Sequence, residues 1–162
     1  MIGEKVQAAF NEQFRHEAGS AYLYLSEAAW FNSHGFEGMA HWMVVQFGEE
    51  TKHAMMFFDE LHDRAGKVDL PAIARPKAAW RSPLDAFRDA YKHEQVITGK
   101  INDLVKLAAK EGDLAAVEFL LWFVNEQVEE EAQVLKIVQA LELVGESGAG
   151  LIMLDKELGE RK

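Results

Sequence analysis

Only three prolines occur in the 162 residues, Pro71, Pro76 and Pro83, and all lie in or beside one stretch, KVDLPAIARPKAAWRSP. Proline breaks a helix interior because it removes a backbone donor and clashes with the preceding turn. The chain on either side of that stretch is therefore free to be helical over long distances. It is also rich in Ala, Leu, Glu, Lys and Gln, the good helix formers. No segment shows the period-two alternation of a half-buried strand. The sequence predicts helices over 4–32, 36–65, 83–111 and 114–144, with a short fifth over 149–159. Local punctuation agrees. Ser82-Pro83 sets a capping hydroxyl before a proline at the first helical position, and Asp85 suits the first turn. Gly112-Asp113 reads as a helix stop followed by a new N-cap.

Four helices of about 30 residues would each be about 45 Å long, which implies a four-helix bundle. The first pair and the last pair are joined by short turns and should be antiparallel. The segment 67–82 is different, since about 16 residues can span up to ~50 Å when extended. That length can run from one end of the bundle to the other, so the second and third helices could be parallel. Ala, Ile and Trp80 within it favour a crossover packed on the bundle over a free loop. The expected fold is all-α, a single domain over 1–162 with one long crossover and a short C-terminal fifth helix.

Steps of seven residues return to the same helix face. They give Phe10, Glu17, Tyr24, Phe31 in the first helix and Met43, Glu50, Phe57 in the second, with Gln46 and His53 beside them. The third gives Phe87, Glu94, Ile101, Ala108. The fourth gives Leu120, Gln127, Val134, Leu141 and, adjacent, Phe123, Glu130, Ile137, Val144. Each inward stripe is interrupted by an acid near its middle. Midpoints of equal-length helices coincide whichever way each helix runs, so Glu17, Glu50, Glu94 and Glu130 should meet.

Four buried carboxylates without partners would cost several kcal/mol each, and crowding like charges adds to this. No Lys or Arg shares the stripes at that level. A divalent cation resolves the conflict, and carboxylates with one imidazole suit Fe, Mn or Zn better than Ca or Mg. Tyr24, one inward step from Glu17, puts a phenol near the metals and favours iron. His16, His62 and His93 fall off the inward stripes and read as solvated; His34 and His41 have no carboxylate partner on their own face. The run NEQVEEEAQ places Glu126 and Glu129 beside the Gln127–Glu130 face, as Glu49 lies beside Glu50. These three could form a more exposed extra metal site, or simply a solvated acidic run.

Other features bound the function. The absence of cysteine excludes disulfides and thiolate metal sites and fits a cytoplasmic protein. No apolar run is long enough to span a membrane, and the N-terminal MIGEKVQAAFNEQF lacks the pattern of a secretory signal. A net charge of −10 should repel nucleic acid and anionic membrane and attract cations. Val44, Val45, Met55 and Met56 lie roughly 120–140° from Glu50 around their helix, as do Tyr22, Leu23 and Trp30 from Glu17. Such faces cannot reach their own core, and they predict a homo-oligomer built on a twofold dimer. Leu151, Leu154 and Leu158 offer a further contact.

The residues that carry these features, SAYLYLSEAAWF after Glu17, EETKHAMMF, His93-Glu94 and LLWFVNEQVEEEA, resemble those of the prokaryotic non-haem ferritins. The resemblance extends over essentially the whole chain, including LDKEL near its end. It implies a ferritin-like bundle in which Glu17, Glu50 and His53 bind one iron. Glu50 would bridge to a second iron held by Glu94 and Glu130, with Gln127, Tyr24 and Trp122 as neighbours. Glu49, Glu126 and Glu129, with Glu130, would match a third iron site. The implied activity is ferroxidase: Fe(II) oxidised by dioxygen or hydrogen peroxide, then stored as ferric mineral inside a shell of about 24 subunits. Two departures stand out. Gly19 replaces an aromatic residue common in relatives, with close helix packing as the expected reason. The acids that line animal threefold channels fall here at Val117 and Leu120.

Rival members of the superfamily fit less well. Bacterioferritins and di-iron oxidases or peroxidases carry a second Glu-x-x-His on the last long helix, where this chain has Gln127-x-x-Glu130. The bacterioferritin haem methionine would fall at Thr51, so haem is not expected. A rubrerythrin would need cysteines. A DNA-protecting mini-ferritin builds its site between subunits, whereas these ligands close within one bundle. A plain helical binding module would explain the bundle but not the buried acids.

Overall fold

The computed structural model describes residues 1–162 as five helices and no strand. They are α1 (Glu4–Ser33), α2 (Glu37–Asp63), α3 (Pro83–Lys110), α4 (Leu114–Val144) and α5 (Gly148–Leu158). The sequence-derived ends agree within two residues. Ser82 accepts the Asp85 N–H at 3.1 Å, and Asp113 accepts the Ala116 N–H at 3.0 Å, so both expected caps form. Asp113 also takes both oxygens to Arg64 at 2.8 Å, tying the end of α2 to the α3–α4 turn.

α1 packs on α2 and α3 on α4 as antiparallel hairpins. Early α2 meets early α3: Trp42 and Phe87 have ring centroids 5.5 Å apart. The second and third helices therefore run parallel, and the segment between them crosses the length of the bundle. It lies along α1. Near the start of α1, Asn11 donates to the Lys67 carbonyl and accepts from the Asp69 N–H. Further on, Ser26 donates to the Lys77 carbonyl at 2.7 Å. Trp80 then packs against Trp30 with centroids 5.9 Å apart and donates to Asp89. Trp30 is thus only 7% exposed, which corrects its assignment to an outward face. The crossover covers that flank of α1.

α5 is seated on the start of α2. Asp155 accepts the Gly38 and Met39 N–H groups at 3.2 and 2.8 Å, satisfying donors that a helix N-terminus leaves free. The approach is close enough to require glycine, since a Cβ on Gly38 would stand 1.7 Å from the Asp155 carbonyl oxygen.

The core is divided. One apolar cluster, with Phe31, Met43, Phe87 and Leu141, fills the end near α5. A second, with Phe10, Phe57, Ile101 and Phe123, fills the other. Between them lies a layer of buried polar side chains: Gln13, Glu17, Ser20, Gln46, Glu50, His53, Glu94, Gln127 and Glu130.

Gly19 is not explained by close packing. A Cβ there would meet only the Ile73 side chain, at 3.9 Å. Glycine in a helix interior is about 1 kcal/mol less favourable than alanine. Gly19→Ala should therefore stabilise the protein by about 1 kcal/mol, read as a raised midpoint in denaturant unfolding. A lowered midpoint would mean that the position needs its bare backbone.

Candidate metal centre

The polar layer is built by register. Glu17, Glu50, Glu94 and Glu130 are each the mid-helix member of an otherwise apolar stripe, and each is 1–2% exposed. Their donor atoms fall into overlapping groups. Glu17, Glu50 and His53 place one atom each within 4.8 Å of one another, and so do Glu50, Glu94 and Glu130. Glu50 belongs to both and stands where a bridging ligand would. A third group joins His53, Glu126 and Glu130 under the same limit. All the predicted inner residues, Tyr24 and Gln127 included, are brought together at this level.

Neutral donors hold the acids in place. Gln13 donates to Glu17 at 2.7 Å. Gln46 donates to Glu50 at 3.1 Å and to Glu130 at 2.6 Å. Gln127 donates to Glu94 at 3.2 Å, and the Tyr24 hydroxyl donates to the other Glu94 oxygen. His53 Nδ1 lies 3.3 Å from Glu50. Two edge-on indole and phenyl contacts, from Trp122 and Phe123, fix the imidazole plane.

No lysine or arginine touches the four inner carboxylates, and the acids respond to that. Burial pushes Glu17 up to about 8, with Glu50 adding repulsion. Burial likewise raises Glu94 and Glu130 to about 7. Glu50 is raised by burial and by Glu94 and Glu130. Carboxylates held apart from counter-cations, with a single imidazole among them, are the donor set of a first-row transition metal.

The outer acids divide. Glu126 Oε1 is 3.8 Å from His53 Nε2 and joins the donor groups. Glu129 is exposed. Glu49 pairs with Arg161, a residue that no stripe predicted because it arrives from the chain end. His93 and His16 also depart from expectation. His93 is bonded to Ser20 at 2.7 Å and is only partly exposed, and burial holds it down at about 4. His16 meets Lys100 at 3.1 Å. The expected channel position Leu120 is fully buried in the core and lines no surface. The supporting glutamines had an audible signal: Gln13-x-x-x-Glu17 and Gln46-x-x-x-Glu50 repeat one spacing on two helices. Glu27 had none. It is fully buried, with no protein hydrogen-bond partner for either oxygen.

The comparisons agree with this fold. A family profile described as Ferritin-like domain matches residues 7–144. A "Bacterial non-heme ferritin" of Bacteroides fragilis is 40% identical over 99% of this chain and 100% of its own length. A "Probable bacterial non-heme ferritin-like protein" of Haemophilus influenzae is 38% identical over 98% of this chain and 96% of its own. Among solved structures, an engineered closed form of the Archaeoglobus fulgidus ferritin superposes with a TM-score of 0.99 at 49% identity, covering 100% of this chain and 99% of that one. The open-pore form of that ferritin gives 0.99 at 48%, covering 100% of both chains.

The raised acids make a pH prediction. A carboxylate whose folded pKa exceeds its unfolded value of 4.5 stabilises the fold fully below that value and loses the contribution as pH rises through the folded one. Metal-free protein should therefore lose stability between about pH 4.5 and about pH 8. Stabilisation by added Zn(II) should grow over the same window, because the ligands must be deprotonated. Thermal unfolding with and without Zn(II) at several pH values measures both slopes. A metal-induced shift that shrinks toward pH 8 would contradict the assignment.

Proposed function

The chain belongs to the ferritin family, and from that premise we propose that it is an iron-storage ferroxidase whose substrate is Fe(II). The observation that carries this reading is the pair of donor groups sharing Glu50. One ion would be held by Glu17, Glu50 and His53, and the second by Glu50, Glu94 and Glu130. Four ionised carboxylates carry four negative charges, which balance two divalent ions and leave two trivalent ions under-neutralised.

Two adjacent ions can together supply the two electrons that take one dioxygen, with two protons, to hydrogen peroxide; peroxide itself can act as the oxidant. The chain's residues set the geometry. Gln46 steadies Glu50 and Glu130, Gln13 steadies Glu17, and Tyr24 with Gln127 steadies Glu94. Glu126, with Glu129 and Glu49 nearby, is proposed to take a third, weaker ion on the way between the centre and the cavity. We place the protein in the cytoplasm; no helix is long and apolar enough to cross a membrane.

Glu50→Ala should abolish rapid Fe(II) oxidation, since it removes a ligand from both positions, and His53→Ala should slow it. Stopped-flow absorbance of the ferric product measures this. Fast oxidation persisting in Glu50→Ala would defeat the assignment.

Storage needs a closed shell, and we propose one of about 24 copies. Its support is an apolar groove of about 440 Å³ on the α1–α2 face, lined by Phe14, Tyr22, Phe47, Met55 and Ile73 among others. Tyr22 and Met55 are 49% and 44% exposed there. An exposed apolar patch of this kind marks an interaction surface. Light scattering should report a large assembly for the wild type and a smaller species for Tyr22→Asp with Met55→Asp. A wild-type monomer at micromolar concentration would exclude the shell.

A further inference from the structure

The chain end brings a cation to the acidic edge of the metal centre. Arg161 lies two residues beyond Gly159, which caps α5, and its side chain is 15% exposed. Its Nη2 donates to Glu49 Oε2 at 2.5 Å and to Gln133 Oε1 at 3.3 Å. Its Nη1 donates to Gln46 Oε1 at 2.9 Å and to the Trp42 carbonyl at 3.4 Å. The guanidinium carbon stands 4.3 Å from the centroid of the Trp42 ring. His41 Nε2 meets the Arg161 carbonyl at 2.8 Å and pins the backbone as well. The seating of α5 through Asp155 sets the direction from which the arginine arrives.

Two consequences follow from the chemistry of the guanidinium. Arginine has donors and no acceptor, so the Gln46 atom facing it must be the amide oxygen. That turns the Gln46 nitrogen toward Glu50 and Glu130, where it donates at 3.1 and 2.6 Å. Arg161 thus positions two inner ligands through one amide. It also neutralises Glu49, so an outer ion that takes Glu49 as a ligand must displace it.

We propose that Arg161 is a tethered cation standing in for the third metal: an outer divalent ion engages Glu49 only when the chain end lifts away. This rests on reading the centre as a divalent-metal site. Coupling between two binding events is reciprocal. A docked chain end weakens the outer position by the same factor by which an outer ion loosens the chain end. The inner pair can fill with the tail still docked, because none of its ligands contacts Arg161 directly and Gln46 can keep its bonds to both sides. The tail is then a sensor of how far loading has gone.

The test uses the assembled, metal-free protein and Zn(II), which is redox-inert. Calorimetry counts and ranks the ions, and hydrogen–deuterium exchange follows residues 159–162. Two inner ions are expected in the wild type and in Arg161→Ala, held more weakly in the variant because Gln46 loses the partner that fixes its amide. The third should bind Arg161→Ala about fivefold or more tightly than the wild type. Arg161→Lys keeps the charge but loses the fork that grips Glu49 and Gln46 together, and should fall between them. Exchange of the wild-type tail should rise with the third equivalent and not with the first two. A third-ion affinity that is the same in the wild type and both variants overturns the proposal, and so does tail exchange indifferent to the third ion. If no form binds an inner pair, the metal-centre reading itself falls and takes the proposal with it. That result is distinct, because it appears equally in the wild type.

Discussion

Four carboxylates must share the middle of an apolar bundle, and the rest of the structure is arranged around that constraint. Ionised and unpaired, each would cost several kcal/mol to bury. No lysine or arginine touches these carboxylates, only amides, a phenol and an imidazole. These satisfy individual oxygens without cancelling charge. The acids are left to choose between holding protons, which is why Glu17, Glu94 and Glu130 are raised, and holding metal. Long helices of similar length are the means of bringing four distant residues to one level. The two apolar clusters above and below supply the cohesion that the polar layer lacks.

The same logic separates the inner acids from the outer ones. Inner carboxylates have only neutral donors, so their charge is reserved for a guest. Among the outer acids Glu49 already has a cation in Arg161, Glu129 has solvent, and Glu126 leans on His53. The resemblance treats Glu49, Glu126 and Glu129 as one site, but their surroundings differ residue by residue.

Much of this was legible in the sequence because helices are local and periodic. Proline placement and caps marked the ends, and the seven-residue step found the four buried carboxylates that meet at one level. The parallel course of the second and third helices followed from the reach of the crossover. What escaped detection depends on contacts between distant segments. An angular count around α1 sends Trp30 outward, because it cannot see Trp80 arriving to cover it. His93 reads as solvated for the same reason, since Ser20 lies 73 residues away. Arg161 belongs to no stripe; its place follows from Asp155 capping α2, a contact spanning more than a hundred residues. Glu27 is legible in neither way, and nothing in the structure explains why an unpartnered acid is kept in the apolar end of the bundle.

The parallel crossover has a consequence best expressed as symmetry. With α2 and α3 pointing the same way, a half-turn about an axis through the centre exchanges the α1–α2 hairpin with the α3–α4 hairpin. Glu17 then corresponds to Glu94, and Glu50-x-x-His53 to Gln127-x-x-Glu130. The correspondence breaks at the last pair, where one half offers a carboxylate and an imidazole and the other an amide and a carboxylate. A nearly twofold scaffold therefore presents two inequivalent halves: a guest on one side meets nitrogen as well as oxygen, and on the other meets oxygen alone. Identical ions placed there would not be equivalent, because the hairpin that holds each one sets its donor atoms.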